Sequence, residues 1–148
     1  MVRDRGAVEM ETGMKRLAAA AAALLWFGAP AFALDPLGDW LVAEQDAKIR
    51  IQPCGGALCG VLVWSKQPNA RDVRNPDPAL RSRSLVGVPI LTGLKPTGPN
   101  AWAGQAYNAD DGRTYDVKLA LKSADTLRIE GCVLGGLICQ GEDWTRAR

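Results

Sequence analysis

Four cysteines are the residues of this chain best suited to covalent or metal chemistry, and they fall into two pairs. Cys54 and Cys59 have four residues between them, Cys132 and Cys139 have six, and the chain contains no histidine. A thioredoxin-type redox site needs two intervening residues, and a structural zinc site usually has two to four between paired ligands. The spacing therefore favours two structural disulfides, with redox activity and metal binding as weaker alternatives.

Glycines inside each pair predict how the cysteines meet. Gly135-Gly136 is a strong signal for a two-residue hairpin turn, which places the cysteines of the second pair opposite each other. Gly56-Ala57 supplies glycine at the first central position of a type II′ turn and does the same for the first pair. Opposed strand residues have Cα atoms about 4.5–5.5 Å apart, a distance that a disulfide spans. Each pair is therefore predicted to link the two strands of one hairpin.

Other catalytic machinery is hard to assemble from this sequence. Without histidine, and with the cysteines paired, nucleophiles activated by histidine are absent. The remaining option is a carboxylate pair, either Asp72 with Asp77 or Asp110 with Asp111, although adjacent aspartates usually serve turns. We therefore expect no enzymatic activity, no catalytic residue, no metal and no cofactor.

Aromatic residues offer binding chemistry instead. Inside a barrel they either line a ligand pocket or fill the core. Trp102 and Tyr107 have opposite parity on one predicted strand, so they should face opposite sides of it. Arg146 is either an interior partner for an anion or a support stacked on a tryptophan. The candidate ligand-binding residues are Trp40, Trp64, Trp102, Tyr115 and Arg146.

Apolar and polar residues alternate along most of the chain, as in half-buried strands. Ile49 and Ile51 alternate with Lys48, Arg50 and Gln52. In the same way, Tyr115, Val117, Leu119 and Leu121 point to one side, and Asp116, Lys118 and Lys122 to the other. Turn signals separate eight predicted strands, near 38–44, 47–54, 58–65, 86–92, 100–108, 113–122, 126–133 and 137–146. Eight short antiparallel strands predict an all-β fold, a closed barrel or a sandwich. An eight-stranded barrel is either filled or holds one small ligand.

Residues 66–85 have no clear period, and a loop of this length is often functional. Asp77-Pro78 resembles an N-cap followed by proline at the first helical position, which predicts a short helical turn through Leu80. The loop carries five basic residues against two aspartates. It is either a solvated loop with internal ion pairs or a lid with an anion-attracting rim. The candidate rim residues are Asp72, Asn75, Asp77 and Arg81.

The N-terminus has the order of a secretory signal peptide. Lys15-Arg16 precede an apolar run from Leu17 to Phe27, followed by Pro30 and the small-x-small site Ala31-Phe32-Ala33. The run is shorter than the roughly 20 residues of a membrane span. We expect residues 1–33 to be an N-terminal overhang and a signal peptide cleaved after Ala33. Translation starts either at Met14 or, with a longer charged region, at Met1.

Residues 34–148 are then a single β-barrel domain, periplasmic or secreted. No second apolar run of spanning length follows, so we expect no stable membrane span in this part. The chain has 18 Lys and Arg against 16 Asp and Glu. This near balance argues against a nucleic-acid partner, which needs a basic patch.

Several motifs in fixed order resemble a known family. Gly38-Asp39-Trp40 is similar to the G-x-W signature of lipocalin-type barrels, and Trp144-Thr145-Arg146 supplies the arginine that such barrels pack over that tryptophan. More specifically, the chain resembles the bacterial domain-of-unknown-function family 2147 from about residue 38 to 146. The shared features are Cys54 with Leu58-Cys59-Gly60, Asp72 with Asn75-Pro76-Asp77-Pro78 and Leu80-Arg81, Leu85-Val86-Gly87, Trp102, Tyr107 with Gly112 and Tyr115, Gly131-Cys132, and Trp144-Thr145-Arg146.

The resemblance implies an exported lipocalin-like barrel and carries no established activity. The chain departs from the family pattern at Val61, where a lysine is expected, and at Ala109, where a proline is expected. We predict that the barrel mouth binds a small, partly apolar or amphipathic molecule. The alternative is a cell-envelope interaction or structural stress protein with a filled barrel, whose protein partner is unknown. A cavity of about 300 Å³ or more favours the ligand.

Overall fold

The computed structural model describes residues 34–148, so the predicted overhang and signal peptide, residues 1–33, lie outside the described residues. The eight strands are β1 (Gly38–Leu41), β2 (Ala47–Cys54), β3 (Ala57–Ser65), β4 (Pro89–Gly98), β5 (Ala101–Asn108), β6 (Arg113–Ser123), β7 (Thr126–Val133) and β8 (Ile138–Arg146). Each pairs antiparallel with the next, and β8 pairs with β1, so the sheet is a closed barrel. The predicted all-β, eight-stranded antiparallel barrel is confirmed. No helix among residues 34–148 is long and apolar enough to span a membrane.

Alternation along the strands fills the middle of the barrel. The inward positions are the apolar ones, and their side chains leave the water together, which is the main favourable term in folding. The buried cluster consists of Trp40, Ile49, Ile51, Leu91, Leu94, Val117, Leu119, Leu121, Leu127, Ile129 and Trp144. The two ends of the barrel differ from this packed middle and from each other.

We call one end the clamped end, because Arg146 closes it. This end carries the β2–β3, β4–β5 and β6–β7 turns and the segment before β1. The Arg146 guanidinium lies 4.3 Å from the centroid of the Trp40 ring. It donates hydrogen bonds to the carbonyls of Ala124 at 2.6 Å and of Leu37 and Asp35 at 2.7 Å each. Of the two predicted roles for Arg146, stacking on Trp40 is the one that the structure has.

We call the opposite end the loop end. It carries the β1–β2 turn, the long β3–β4 connection, and the β5–β6 and β7–β8 turns. The predicted helical turn in the long connection is confirmed as a 3-10 turn, Pro78–Leu80. Asp77 caps it, since its Oδ1 accepts a hydrogen bond from the Ala79 backbone N–H at 2.9 Å.

The prediction for β4 was wrong by several residues: the strand runs over Pro89–Gly98 rather than 86–92. Gly93, Pro96 and Gly98 look like loop residues in the sequence. In the structure they lie in a bulged strand, with register shifts against β5 between Thr92 and Lys95 and between Pro96 and Gly98. Bulges tolerate glycine and proline because they interrupt the hydrogen-bond ladder.

The first hairpin turns one residue earlier than predicted. Gly55-Gly56 form the turn, and both have positive φ (59° and 84°), as a type I′ turn requires. Cys54 therefore pairs with Ala57, and Cys59 pairs with Gln52. The two cysteines are diagonal neighbours rather than directly opposed, with Cα atoms 5.7 Å apart, and they form a disulfide.

The second hairpin has the predicted register but a longer connection. Cys132 lies directly opposite Cys139, with Cα atoms 4.1 Å apart, and the two form a disulfide. The last strand pair is Val133 with Ile138, so four residues connect the strands where two were predicted. These residues include the 3-10 turn Leu134–Gly136. Each disulfide thus staples one hairpin, the first at the clamped end and the second at the loop end.

Candidate functional site

The inward faces of β5 to β8 enclose an opening at the loop end of the barrel. Its deeper part has a volume of about 310 Å³ and is lined by Ala106, Tyr115, Val117, Ile129, Glu142 and Trp144, among others. Its outer part, of about 420 Å³, is lined by Asn108, Tyr115, Gly131, Val133, Ile138 and Gln140. Tyr115, Gly131 and Gln140 line both parts, so the two form one continuous space. We call this space the mouth cavity.

A missing side chain keeps the mouth cavity open. Gly131 lies in β7 opposite Gln140, and a Cβ atom placed on it would meet no atom within 4 Å. At Gly104, by contrast, a Cβ atom would lie 2.6 Å from the Thr92 carbonyl oxygen. Gly104 is therefore required for close packing, whereas Gly131 leaves space that a side chain would fill.

Polar groups line one wall of the mouth cavity. Glu142 of β8 lies opposite Ile129 and accepts a hydrogen bond from the indole N–H of Trp144. Nearer the rim, the Tyr115 hydroxyl donates a hydrogen bond to Asp111 in the β5–β6 turn. This hydrogen bond raises the pKa of Tyr115 and lowers the pKa of Asp111. The cavity therefore combines an apolar floor with a carboxylate and hydroxyl and amide groups.

A second cavity, of about 410 Å³, lies at the clamped end. Its wall includes Pro53, Leu58, Leu94, Pro96 and Trp102, and the segment Asp35–Leu37 borders it. We call it the apolar cavity. Trp102 and Tyr115, two candidates predicted for one ligand site, therefore lie in different cavities at opposite ends of the barrel.

The other aromatic candidates lie outside both cavities. Trp40 is fully buried beneath Arg146 and donates its indole N–H to the Pro36 carbonyl at 2.8 Å. Trp64 is 41% exposed, and the Lys48 ammonium lies 5.5 Å from its ring centroid. A register shift between Lys48 and Ile49 turns Trp64 to the outer surface. The structure therefore does not bring Trp40, Trp64 or Arg146 to the mouth cavity.

The predicted rim residues form a network inside the long loop. Asp72 is fully buried; its carboxylate accepts hydrogen bonds from the Tyr107 hydroxyl, from Asn75 Nδ2 at 2.8 Å and from Arg83 Nε at 2.9 Å. Burial alone would raise the pKa of Asp72, but the hydrogen bonds from Tyr107, Asn75 and Arg83 outweigh it and hold this pKa below its usual value. Tyr107 thus faces away from the barrel interior, opposite to Trp102, as parity predicts.

The remaining rim candidates extend the same network. Asn75 Oδ1 accepts a hydrogen bond from the Asp77 backbone N–H at 2.9 Å, and its carbonyl accepts one from Arg81 Nε at 2.8 Å. The loop also packs on the β5–β6 turn, where a Cβ atom on Gly112 would lie 1.9 Å from the Arg74 carbonyl oxygen. Of the two predicted readings of the loop, internal ion pairing is the one that these contacts support.

Of the predicted ligand-binding candidates, Tyr115 alone lines the mouth cavity. The residues that sequence reasoning missed include the polar Asn108, Gln140 and Glu142 and the open position Gly131. The signal for two of them was present. Arg146 was considered as an interior residue of the last strand, and strict alternation places Glu142 and Gln140 on the same face as Arg146. Glutamine and glutamate are residue types that usually lie on the outer face of a barrel. Their polarity therefore argued against the inward positions that strand parity predicts for them.

Comparisons with known proteins agree with this architecture. The family model described as "Uncharacterized protein conserved in bacteria (DUF2147)" matches residues 38–146. Among solved structures, the chain is similar to protein HP1028 from the human pathogen Helicobacter pylori, described as belonging to the lipocalin family. The likeness has a TM-score of 0.70 at 24% identity and covers 78% of this chain and 84% of that chain. It shows a shared lipocalin-like fold. No curated protein matches the chain.

Proposed function

The chain belongs to the DUF2147 family of uncharacterised bacterial proteins, and on this premise we propose that it is an exported barrel that binds a small amphipathic molecule in the mouth cavity. One observation carries the proposal: Gly131 leaves an open space between the apolar floor and the polar wall of the barrel end. Ligand sites in proteins are typically concave and mostly apolar, with a few polar groups that orient the ligand.

Cavity size favours binding over the alternative of a filled barrel. Both parts of the mouth cavity, at about 310 and 420 Å³, lie within the range of about 300–1,000 Å³ typical of ligand pockets. Packing of the barrel middle limits how deep a ligand can go, because Val117, Ile129 and Trp144 are buried at the floor. The proposed ligand is therefore small and reaches the rim.

Three of the four carboxylates considered for catalysis have other roles, which favours a binding protein over an enzyme. Asp72 is enclosed in the loop network, and Asp77 caps the 3-10 turn. Asp111 accepts hydrogen bonds from the Tyr115 hydroxyl and from the Arg113 backbone N–H within the β5–β6 turn. These contacts support turn and loop functions for the three aspartates.

Native mass spectrometry of the protein purified from its own host tests the binding proposal. We expect a small-molecule adduct on the wild-type protein. Gly131→Leu should abolish the adduct, since the added side chain enters the mouth cavity. Gly98→Leu is the matched control: its Cβ also meets no atom within 4 Å, but it lies on an exposed part of β4. An adduct retained by Gly131→Leu, or an adduct found on none of the proteins, contradicts the proposal.

Export is the second part of the proposal. Two disulfides in a small domain are typical of oxidising compartments, such as the periplasm or the extracellular space. The segment before Leu34 has the order of a signal peptide. We expect the intact mass of the mature protein to correspond to a chain that starts at Leu34. We also expect the protein to fractionate with the periplasm or the medium. A full-length, reduced protein in the cytoplasm would contradict export.

A further inference from the structure

The mouth cavity has one ionisable acidic or basic residue in its wall. Of the residues between 34 and 148 that line the cavity, Glu142 is the only Asp, Glu, Lys or Arg. It is half-buried, at the level of Ile129, one inward position above Trp144. The charge of the cavity wall is therefore negative and lies deep rather than at the rim.

Glu142 has no cationic partner within the part of the chain that the structure describes. The ion pairs between residues 34 and 148 are formed by other side chains. Glu142 accepts a hydrogen bond from the Trp144 indole N–H, and a carboxylate has about four acceptor positions. Most of its capacity is thus free for a donor that enters the cavity.

Other charged groups do not replace this partner. At the rim, the Asp111 carboxylate accepts hydrogen bonds from the Tyr115 hydroxyl and from the Arg113 backbone N–H. Glu130 and Arg128, on the neighbouring strand, pair with each other at 3.5 Å on the outer face. A half-buried carboxylate that lacks a counter-charge favours a ligand that supplies one.

The surroundings of Glu142 fit an organic cation. Tyr115 and Trp144 line the same cavity, and aromatic rings attract ammonium groups through their negative faces. Toward solvent, the wall continues through Gly131 to Val133 and Ile138, which are 41% and 54% exposed. This apolar rim can cover an alkyl chain whose charged group lies below it.

We infer that the mouth cavity binds a protonated alkylamine head first: Glu142 accepts hydrogen bonds from the ammonium group, and the alkyl chain passes Gly131 to the apolar rim of Val133 and Ile138. This inference rests on the proposed function and adds the chemical class and the orientation of the ligand.

Calorimetric titration with three probes of equal chain length tests it: decylammonium chloride and sodium decanoate below their micellar concentrations, and decanol below its solubility limit. We expect decylammonium to bind about tenfold more tightly than decanol, and decanoate to bind most weakly, because a half-buried carboxylate attracts an opposite charge more strongly than one in bulk water does. Glu142→Gln, which keeps a carbonyl acceptor for Trp144, should remove the preference and leave decanol affinity within about twofold.

Two further variants complete the design. Glu130→Gln removes the same charge from the outer face of β7 and should leave the preference unchanged. Glu142→Asp keeps the charge and should retain a preference for decylammonium, which serves as a second test if Glu142→Gln lowers the unfolding temperature. A preference that survives in Glu142→Gln, or decanol binding as tightly as decylammonium to the wild type, overturns the inference.

Gly131→Leu separates this inference from the proposed function. If all three probes bind the wild type equally and Gly131→Leu abolishes their binding, the mouth cavity is a ligand site but Glu142 does not select cations. If none of the probes binds the wild type, or if Gly131→Leu binds them as the wild type does, the proposed function fails and the inference fails with it.

Discussion

The two ends of this barrel are held together by side chains of opposite charge. At the clamped end, the cation of Arg146 donates to three backbone carbonyls and stacks on Trp40. At the loop end, the buried carboxylate of Asp72 accepts from three side chains and orders the long loop. One end is thus held by the half-buried Arg146 guanidinium, which donates hydrogen bonds, and the other by the fully buried Asp72 carboxylate, which accepts them.

The cavities at the two ends differ in the same sense. The apolar cavity, beside the Arg146 clamp, is lined by proline, leucine and Trp102. The mouth cavity, beneath the loop end, carries Glu142 and the Tyr115 hydroxyl. The two carboxylates differ in their partners. Asp72, in the loop, pairs with the Arg83 guanidinium, whereas Glu142, in the mouth cavity, takes part in no ion pair among residues 34–148. The comparison therefore separates a carboxylate that stabilises the fold from one that is free to bind.

Removing the Asp72 carboxylate should have the largest effect on stability. Asp72→Ala leaves Arg83, Tyr107 and Asn75 without their shared acceptor, and breaking a buried ion pair typically costs about 3–5 kcal/mol. Urea unfolding followed by tryptophan fluorescence measures the change. Asp77→Ala is the control at the cap of the 3-10 turn and should cost about 1 kcal/mol. Equal losses for the two variants would show that Asp72 is not the centre of the loop end.

Removing the Arg146 clamp should have the next largest effect. Arg146→Ala loses the stacking on Trp40 and the hydrogen bonds to three carbonyls, which we expect to cost about 2–3 kcal/mol, since water can replace part of these contacts. The loss should concentrate at the clamped end, where hydrogen exchange of the amides next to Leu37 and Ala124 speeds up. Arg148→Ala removes an exposed pair to Asp125 and should leave stability nearly unchanged. Faster exchange at the loop end instead would contradict the separation of the two ends.

Lowering the pH should destabilise the loop end more than the clamped end, and by less than either substitution does. The pKa of Asp72 is lowered in the folded state, so its stabilising contribution is present above the pKa of an unfolded aspartate and is lost as the pH falls through the folded value. We expect loop-end amides to exchange faster in mild acid while clamped-end amides change less. Arg146 does not titrate there, and Asp39, whose pKa is also lowered by its hydrogen bond with Arg50, forms a largely exposed pair. Asp72→Asn should remove the contribution of Asp72 to this pH dependence and leave that of Asp111, whose pKa is also lowered by its hydrogen bond from Tyr115. An unchanged acid response in that variant would assign it to other carboxylates.

Strand parity explains how much of this arrangement could be predicted from the sequence. Alternation correctly placed Ile49, Ile51, Val117, Leu119 and Leu121 in the core, and it separated Trp102 from Tyr107. Parity alone predicts which face of its strand a side chain occupies, but not which end of the barrel that side chain lies at. Trp102 and Tyr115 each lie near the start of their own strand, and antiparallel neighbours start at opposite ends, so the two could have been assigned to different cavities.

Bulges and turn type account for most of the errors. The register shift at Lys48 and Ile49 reverses the face of Trp64, and no local residue type announces it. Gly55, Gly56 and Ala57 allow a type I′ turn or, one residue later, a type II′ turn, and the choice moves the cysteines from opposed to diagonal positions. Glycine and proline in β4 are loop signals that the bulged strand tolerates. Sequence patterns thus predict faces well and register poorly.

Removing either disulfide should give the smallest difference between the two ends. We expect the two removals to differ in their effect on ligand affinity rather than on the free energy of unfolding. The two disulfides have sequence separations of 5 and 7, so loop-closure entropy predicts a similar contribution of about 2 kcal/mol from each. They staple hairpins at opposite ends, however, and the Cys132–Cys139 hairpin contributes Gly131, Val133 and Ile138 to the mouth cavity. Replacing both of its cysteines with serine should loosen that wall and weaken ligand binding in the mouth by about threefold, because the ligand must then order the hairpin. The same replacement of Cys54 and Cys59 should leave mouth binding unchanged. Titration of both double variants with one mouth ligand makes the comparison, and equal affinities would show that the mouth wall is held by the sheet alone.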